Sequence, residues 1–221
     1  MKNKIIILST ISIVVIILIG LSIPFLALSV KTNRIDNDYV YLKEKEEYSI
    51  KQEVEGVELV TQHISCGYAT IEMLSSFYGD KVSEDDLDSK NKGKISTSSS
   101  NGFLIEVNES VPNKKFKKLS YLKNDELLIE IYKSLSNNNP VAIEWAAKFE
   151  GEWTLHFSLI TAIDIKNGFI TIYNPYGYIE NITIDDFIDR STFKAYQKMP
   201  LFLKFGFAFN AFEKNTLFIV E

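Results

Sequence analysis

From Ile5 to Val30 the chain carries no charged side chain, and isoleucine, leucine and valine dominate the run. That is 26 consecutive residues, against the roughly 20 a helix needs to cross a hydrocarbon core. A helix that is apolar all round has no face to show to water, so the rest of the chain has to fold without it. A secretory signal has a shorter apolar stretch, of roughly 7–15 residues. Residues 1–30 therefore read as one uncleaved transmembrane helix, and a cut after Ser29, where Ala27 and Ser29 are small, is the alternative. Lys2 and Lys4 put the N-terminus in the cytoplasm. The expected location is the cell membrane, single-pass, with the C-terminal domain extracellular; Lys31 and Arg34 on the other flank weaken that orientation without reversing it.

Residues 31–55 are polar and of mixed charge, as in Lys43-Glu44-Lys45-Glu46-Glu47, and read as a tether. Residues 56–221 are long enough for one domain with a real core. A net charge of −5 argues against nucleic acid as a partner, which calls for a basic stripe. Lys114, Lys115, Lys117 and Lys118 interleave with Phe116 and Leu119 and read as the solvated face of an edge strand. A single cysteine excludes an internal disulfide. No Cys/His cluster has metal-ligand spacing and no glycine-rich phosphate loop is present, so neither metal nor cofactor is expected.

That cysteine lies in Gln62-His63-Ile64-Ser65-Cys66-Gly67-Tyr68-Ala69, followed by Ile71, Met73, Leu74 and Phe77 at helical spacing and closed by Gly79. The pattern puts Cys66 at the first turn of a helix, where free N–H groups and the positive dipole end favour a thiolate. Gln62 is near enough to offer an amide N–H where an oxyanion would form. Taken alone, the stretch suits a nucleophile or a buried free cysteine equally well. His63 reads as a loop histidine.

The second of the two histidines, His156, lies in an apolar, β-branched run from Trp153 to Asp164 that reads as a buried strand. Lys166-Asn167-Gly168 favours a hairpin, and the returning strand Phe169 to Tyr173 ends in Asn174-Pro175-Tyr176-Gly177. Counted outward from that turn, His156 and Asn174 come at comparable distances, as cross-strand neighbours would. A cysteine nucleophile needs a base, and a histidine base needs a third group to fix its tautomer. Cys66, His156 and Asn174 supply such a set, whereas His156 alone suits a half-buried strand histidine and Asn174-Pro175 alone a plain turn.

Gln-x-x-x-Cys-Gly-x-Ala opening a helix, a strand histidine and then Asn-Pro-x-Gly together resemble the papain-fold cysteine peptidases of the bacteriocin-processing (double-glycine leader) type and their stand-alone relatives. The likeness runs over about residues 56–190. It extends to Val82-Ser83-Glu84-Asp85-Asp86-Leu87, to Asn139-Pro140-Val141 before the histidine and to Thr183-Ile184-Asp185-Asp186-Phe187 after the turn. The resemblance implies that Cys66 is the nucleophile, His156 the general base, Asn174 the orienting residue and Gln62 the oxyanion-hole donor, acting on a peptide or protein substrate. The chain differs from the family pattern in the short Gln62–Cys66 spacing, in Ser65 where many members carry an acid, and in Asn174 where aspartate is usual.

Helices are expected over 66–78, near 84–90, over about 102–108 and over 127–135, and strands over 115–119, 140–145, 155–164, 169–173 and 178–182. Helices first and an antiparallel sheet second make an α+β domain of papain-like layout. The even spacing of Phe205, Phe207 and Phe209 suggests a strand, and a membrane-facing patch is the alternative. Two rivals to a membrane-anchored peptidase remain: an inactive member of the same fold that binds a peptide or partner at the surface, and a thiol acyltransferase.

Overall fold

The computed structural model describes residues 2–32, 38–193, 199–209 and 211–221. Helix α1 runs over Lys2–Thr32. Its side chains are described for residues 10–26, and among the described residues no helix is long and apolar enough to cross a membrane.

The domain is α+β. Its helices are α2 (Cys66–Phe77), α3 (Glu84–Lys90), α4 (Ser100–Ser110), α5 (Asn124–Ser136), α6 (Ile184–Ser191) and α7 (Leu201–Ala208). Its strands are β1 (Gln52–Glu53), β2 (Phe116–Leu119), β3 (Val141–Phe149), β4 (Glu152–Asp164), β5 (Phe169–Asn174), β6 (Tyr178–Thr183) and β7 (Thr216–Val220). They form one antiparallel sheet in the order β2-β7-β3-β4-β5-β6, with β1 pairing on β4.

The central strand β3 is buried continuously from Val141 to Ala147, so helices cover both faces. On one face Phe157 of β4 stacks on Phe103 of α4, ring centroids 4.5 Å apart. Trp145 and His156, each next in its strand to a residue of that face, point to the other side. There the Arg190 guanidinium of α6 lies 3.6 Å from the centre of the Trp145 ring.

The stretch expected to be a polar tether is, from residue 38 on, part of the fold. Leu42 is fully buried and Tyr39 nearly so, the Tyr39 hydroxyl donates to Asp185, and the Val54 N–H donates to the Thr161 carbonyl at 2.8 Å. The charged residues of 43–47 face water, and the few apolar residues on either side of them carry the packing, which a count of charge does not register. Residues 33–37 lie outside the described residues.

The aromatic tail also differs from expectation. Phe205 and Phe207 lie in α7 and Phe209 caps its end. Leu203 and Phe207, four residues apart, face Ala146, Phe193 and Met199 in a second, smaller core, while Leu201, Phe202 and Phe209 stay exposed. A segment apolar on both sides shows no period, so alternation there was uninformative. The β4–β5 connection is likewise longer than an Asn-Gly turn. Asp164 pairs with Phe169 across a four-residue loop, residues 165–168, in which Gly168 takes φ +80°.

Candidate active site

Helix α2 begins at Cys66 because Ser65, in an extended conformation, caps it: its hydroxyl accepts the Tyr68 N–H at 3.1 Å. Gly67 is required by packing, since a β-carbon there would lie 2.3 Å from the Thr97 hydroxyl. The loop ahead of the cysteine is held by Glu84. This fully buried carboxylate accepts the backbone N–H groups of His63 at 3.1 Å and of Ile64 and Ser65 at 2.9 Å each. Glu84 lies in the Val82–Leu87 stretch noted in the sequence, but nothing local marks it as the anchor of a loop some twenty residues earlier. Both ring nitrogens of His63 meet carboxylates, Nδ1 with Glu84 and Nε2 with Asp85, each at 3.1 Å. His63 thus braces the loop from outside.

Strand β4 carries His156, which is 1% exposed. The β4–β5 register pairs Leu159 with Tyr173 after a bulge at Thr161, so Ser158 comes opposite Asn174 and His156 is its diagonal neighbour on the same face. The contact is made: His156 Nε2 lies 2.8 Å from Asn174 Oδ1. Asn174 is fully buried. Its oxygen also accepts the Tyr176 N–H at 2.9 Å, and its amide nitrogen donates to Glu180 Oε1 at 2.7 Å. The Asn-Pro-Tyr-Gly segment is thus a tight turn as well as part of the site, with Gly177 at φ +95° and its N–H on the Asn174 carbonyl at 3.0 Å. The Tyr176 ring stacks on His156 with centroids 4.0 Å apart.

Cys66 is tied to the strand of His156 through Phe157, the residue after the histidine, whose backbone N–H reaches the Cys66 sulfur. Cys66 is partly exposed as a residue, but its sulfur is closely surrounded by protein. Gln62 arrives by a separate route. Its N–H donates to the Pro175 carbonyl at 2.7 Å, and the neighbouring Thr61 packs on Gly177. Its side-chain oxygen is buried with no hydrogen-bond partner among the described residues. The structure therefore brings the Gln62 backbone, His156 and Asn174 to the Asn174–Gly177 turn, with Cys66 close enough to Tyr176 of that turn to act on it through its charge.

Electrostatically the site corrects one expectation. Burial pushes the Cys66 thiol up to about 11, outweighing the N–H groups of Phe157, Gly67 and Cys66 itself, and the nearby Glu144 adds to the rise. A helix N-terminus contributes about 0.3–1 kcal/mol, under one pKa unit, whereas full burial shifts a group by as much as 3–5 units. Burial also lowers His156 to about 4, with the Asn174 bond opposing and Arg190 assisting that fall. The resting pair is a neutral thiol and a neutral imidazole. Among the described residues no cluster of histidine, cysteine and acidic side chains could hold a metal.

Sequence reading missed Glu180 and Arg190. Arg190 donates from Nη1 to Glu180 Oε2 at 2.6 Å, from Nη2 to Oε1 at 3.2 Å and from Nε to the Ala146 carbonyl at 2.9 Å. Side-chain exposure is 9% for Arg190 and 14% for Glu180. The residues are ten apart on β6 and α6, and an acid on a strand followed by a base on a helix is too common a pattern to signal a pair.

An antiparallel sheet with a cysteine-headed helix packed against it is the layout of a papain-like, cysteine peptidase-like hydrolase. The family model described as "Peptidase_C39 like family" matches residues 54–200, and the chain belongs to that family. Two solved structures show similarity to this chain. One is a double glycine motif protease from an AMS/PCAT transporter in complex with the leader peptide, at 14% identity and TM-score 0.46, covering 76% of this chain and 96% of that one. The other is the peptidase domain of Streptococcus ComA, a bi-functional ABC transporter of a quorum-sensing pathway, at 14% identity and TM-score 0.48, covering 75% of this chain and 98% of that one. No curated protein matches.

Proposed function

We propose that the chain is a membrane-anchored, outward-facing cysteine peptidase whose catalytic residues are Cys66, His156, Asn174 and Gln62. The observation that carries this reading is the buried 2.8 Å contact between His156 Nε2 and Asn174 Oδ1. With Nε2–H committed to an oxygen, Nδ1 keeps its lone pair and is the nitrogen free to take the Cys66 proton. As sulfur attacks the substrate carbonyl, the thiol proton passes to Nδ1 and a thioester forms with release of the amine, which takes that proton back. Water, deprotonated by the same nitrogen, then hydrolyses the thioester. The Cys66 N–H and the side-chain NH₂ of Gln62 would stabilise the oxyanion.

An open cleft of about 510 Å³ beside Tyr176, lined also by Phe149, Trp153, Phe202 and Leu203 with Glu150 and Glu152, offers an extended peptide an apolar floor and an acidic rim. An electrophilic peptide (a peptidyl vinyl sulfone) added to the purified full chain should form one adduct, on Cys66, and His156→Ala should slow its formation at least about a hundredfold. A folded protein left unlabelled would favour the inactive peptide-binding reading. An adduct chased faster by amines than by water would favour the acyltransferase.

The anchor rests on the uncharged run from Ile5 to Val30 behind Lys2 and Lys4. External protease added to intact cells should remove the domain. A domain that is protected until the cells are lysed would reverse the orientation.

A further inference from the structure

We propose that Glu180 and Arg190 are positioning residues of this site, fixing the amide of Asn174 with its oxygen toward His156 and setting the charge that His156 feels. The inference rests on the peptidase reading only in calling the site catalytic; the geometry is independent of it. Arg190 can only donate hydrogen bonds. Both Glu180 oxygens receive its Nη atoms, so the carboxylate is confined to accepting. Burial alone would raise Glu180, but Arg190 outweighs it and holds the carboxyl below its usual range. An ionised, accept-only Glu180 at 2.7 Å from the Asn174 amide admits only the NH₂ end. The Tyr176 N–H, at 2.9 Å from the other end, admits only the oxygen. An amide that could otherwise turn over is thereby held one way, Oδ1 receives Nε2–H, and the lone pair of His156 is left on Nδ1. Every donor–acceptor choice from Arg190 to His156 runs in one direction.

The pair also explains how asparagine can stand where related enzymes carry a charge. A carboxylate is present, one hydrogen bond further from the imidazole, and its charge is balanced by Arg190. The titratable and charged groups around this chain are Cys66 from α2, Tyr176 from the turn, Tyr178 and Glu180 from β6, and Arg190 from α6 with Asp186 at 3.7 Å from it. Among the described residues only Glu180 and Arg190 act on His156 as nearby charges, and in opposite senses. A merely structural ion pair would give the same effect whichever partner is replaced. A positioning pair gives opposite ones.

The chain has only two histidines, so ¹⁵N-histidine labelling of the full chain in lipid nanodiscs resolves His156 from the exposed His63. Wild-type His156 should show the Nε2–H tautomer. Glu180→Gln, which leaves Arg190 uncompensated, should lower its titration midpoint by about 0.5–1 pH unit, and Arg190→Gln should raise it by a similar amount, at the low end of what a nearby charge imposes. Both should lower kcat about tenfold with KM within about twofold, because the loss falls on the transition state. Arg190→Lys, which keeps the charge but not the two-pronged contact, should keep the midpoint, and it carries the test with Glu180→Gln if Arg190→Gln does not fold. Midpoints that stay put, or move the same way in both variants, overturn the proposal. Opposite shifts in a protein that cleaves no peptide sustain the positioning role and remove the peptidase reading.

Discussion

Peptide turnover is expected to fall about 10²–10⁴-fold in His156→Ala, the range removed with a general base, while the wild-type kcat/KM should keep an acid limb near pH 4. Ordinary histidine titrates near 6.5; burial lowers His156 to about 4. The sign follows directly. The imidazole works unprotonated, so activity is retained as pH falls through 6.5 and is lost only on passing the lowered value. The same linkage acts on the fold. With the folded value below the unfolded one, the contribution of a neutral His156 to stability is complete above about 6.5 and drains away between there and about 4. The thiol adds the alkaline half. Pushed up to about 11, Cys66 should react with iodoacetamide at a rate that still climbs above pH 9. A rate that levels off near neutrality would establish a preformed thiolate–imidazolium pair and remove the neutral resting state. Rates and pH profiles of the full chain, with loss of free thiol followed by mass spectrometry, decide both points.

Glu84→Ala should be the most destabilising single substitution near the site, at about 2–4 kcal/mol. It removes the acceptor of three backbone N–H groups in residues 63–65, each worth about 1–3 kcal/mol if left buried and unpaired, and water can reach part of that loop. Glu84→Gln keeps one oxygen in place and should cost roughly half as much. His63→Ala, which removes only the exposed brace, should change stability little. Since the same loop delivers Gln62 and Cys66, Glu84→Ala should also lose most activity under conditions where it remains folded. Chemical denaturation of the full chain in detergent, followed by tryptophan fluorescence, measures the difference. A Glu84→Ala protein as stable as the wild type would mean that the loop finds other partners.

The helices at 66, 84 and 124, the strands on either side of His156 and the pairing of His156 with Asn174 were legible in the sequence. Their signals are local: a capping serine before a 3.6-residue period, β-branched runs ended by glycine and proline, and a motif of four spaced residues. The uncharged run Ile5 to Val30 is equally local. What only the tertiary structure decided depends on which surfaces meet. Residues 38–55 looked like a tether because their charges outnumber their apolar side chains, yet Leu42 is a core residue. The helical tail looked like a strand because it is apolar on both faces. The thiol's protonation was misjudged because the favourable helix end is visible from sequence and the burial that overrides it is not. Glu84, Glu180 and Arg190 reach their partners through contacts between separate elements, and a chain that reads only its neighbours holds no record of them.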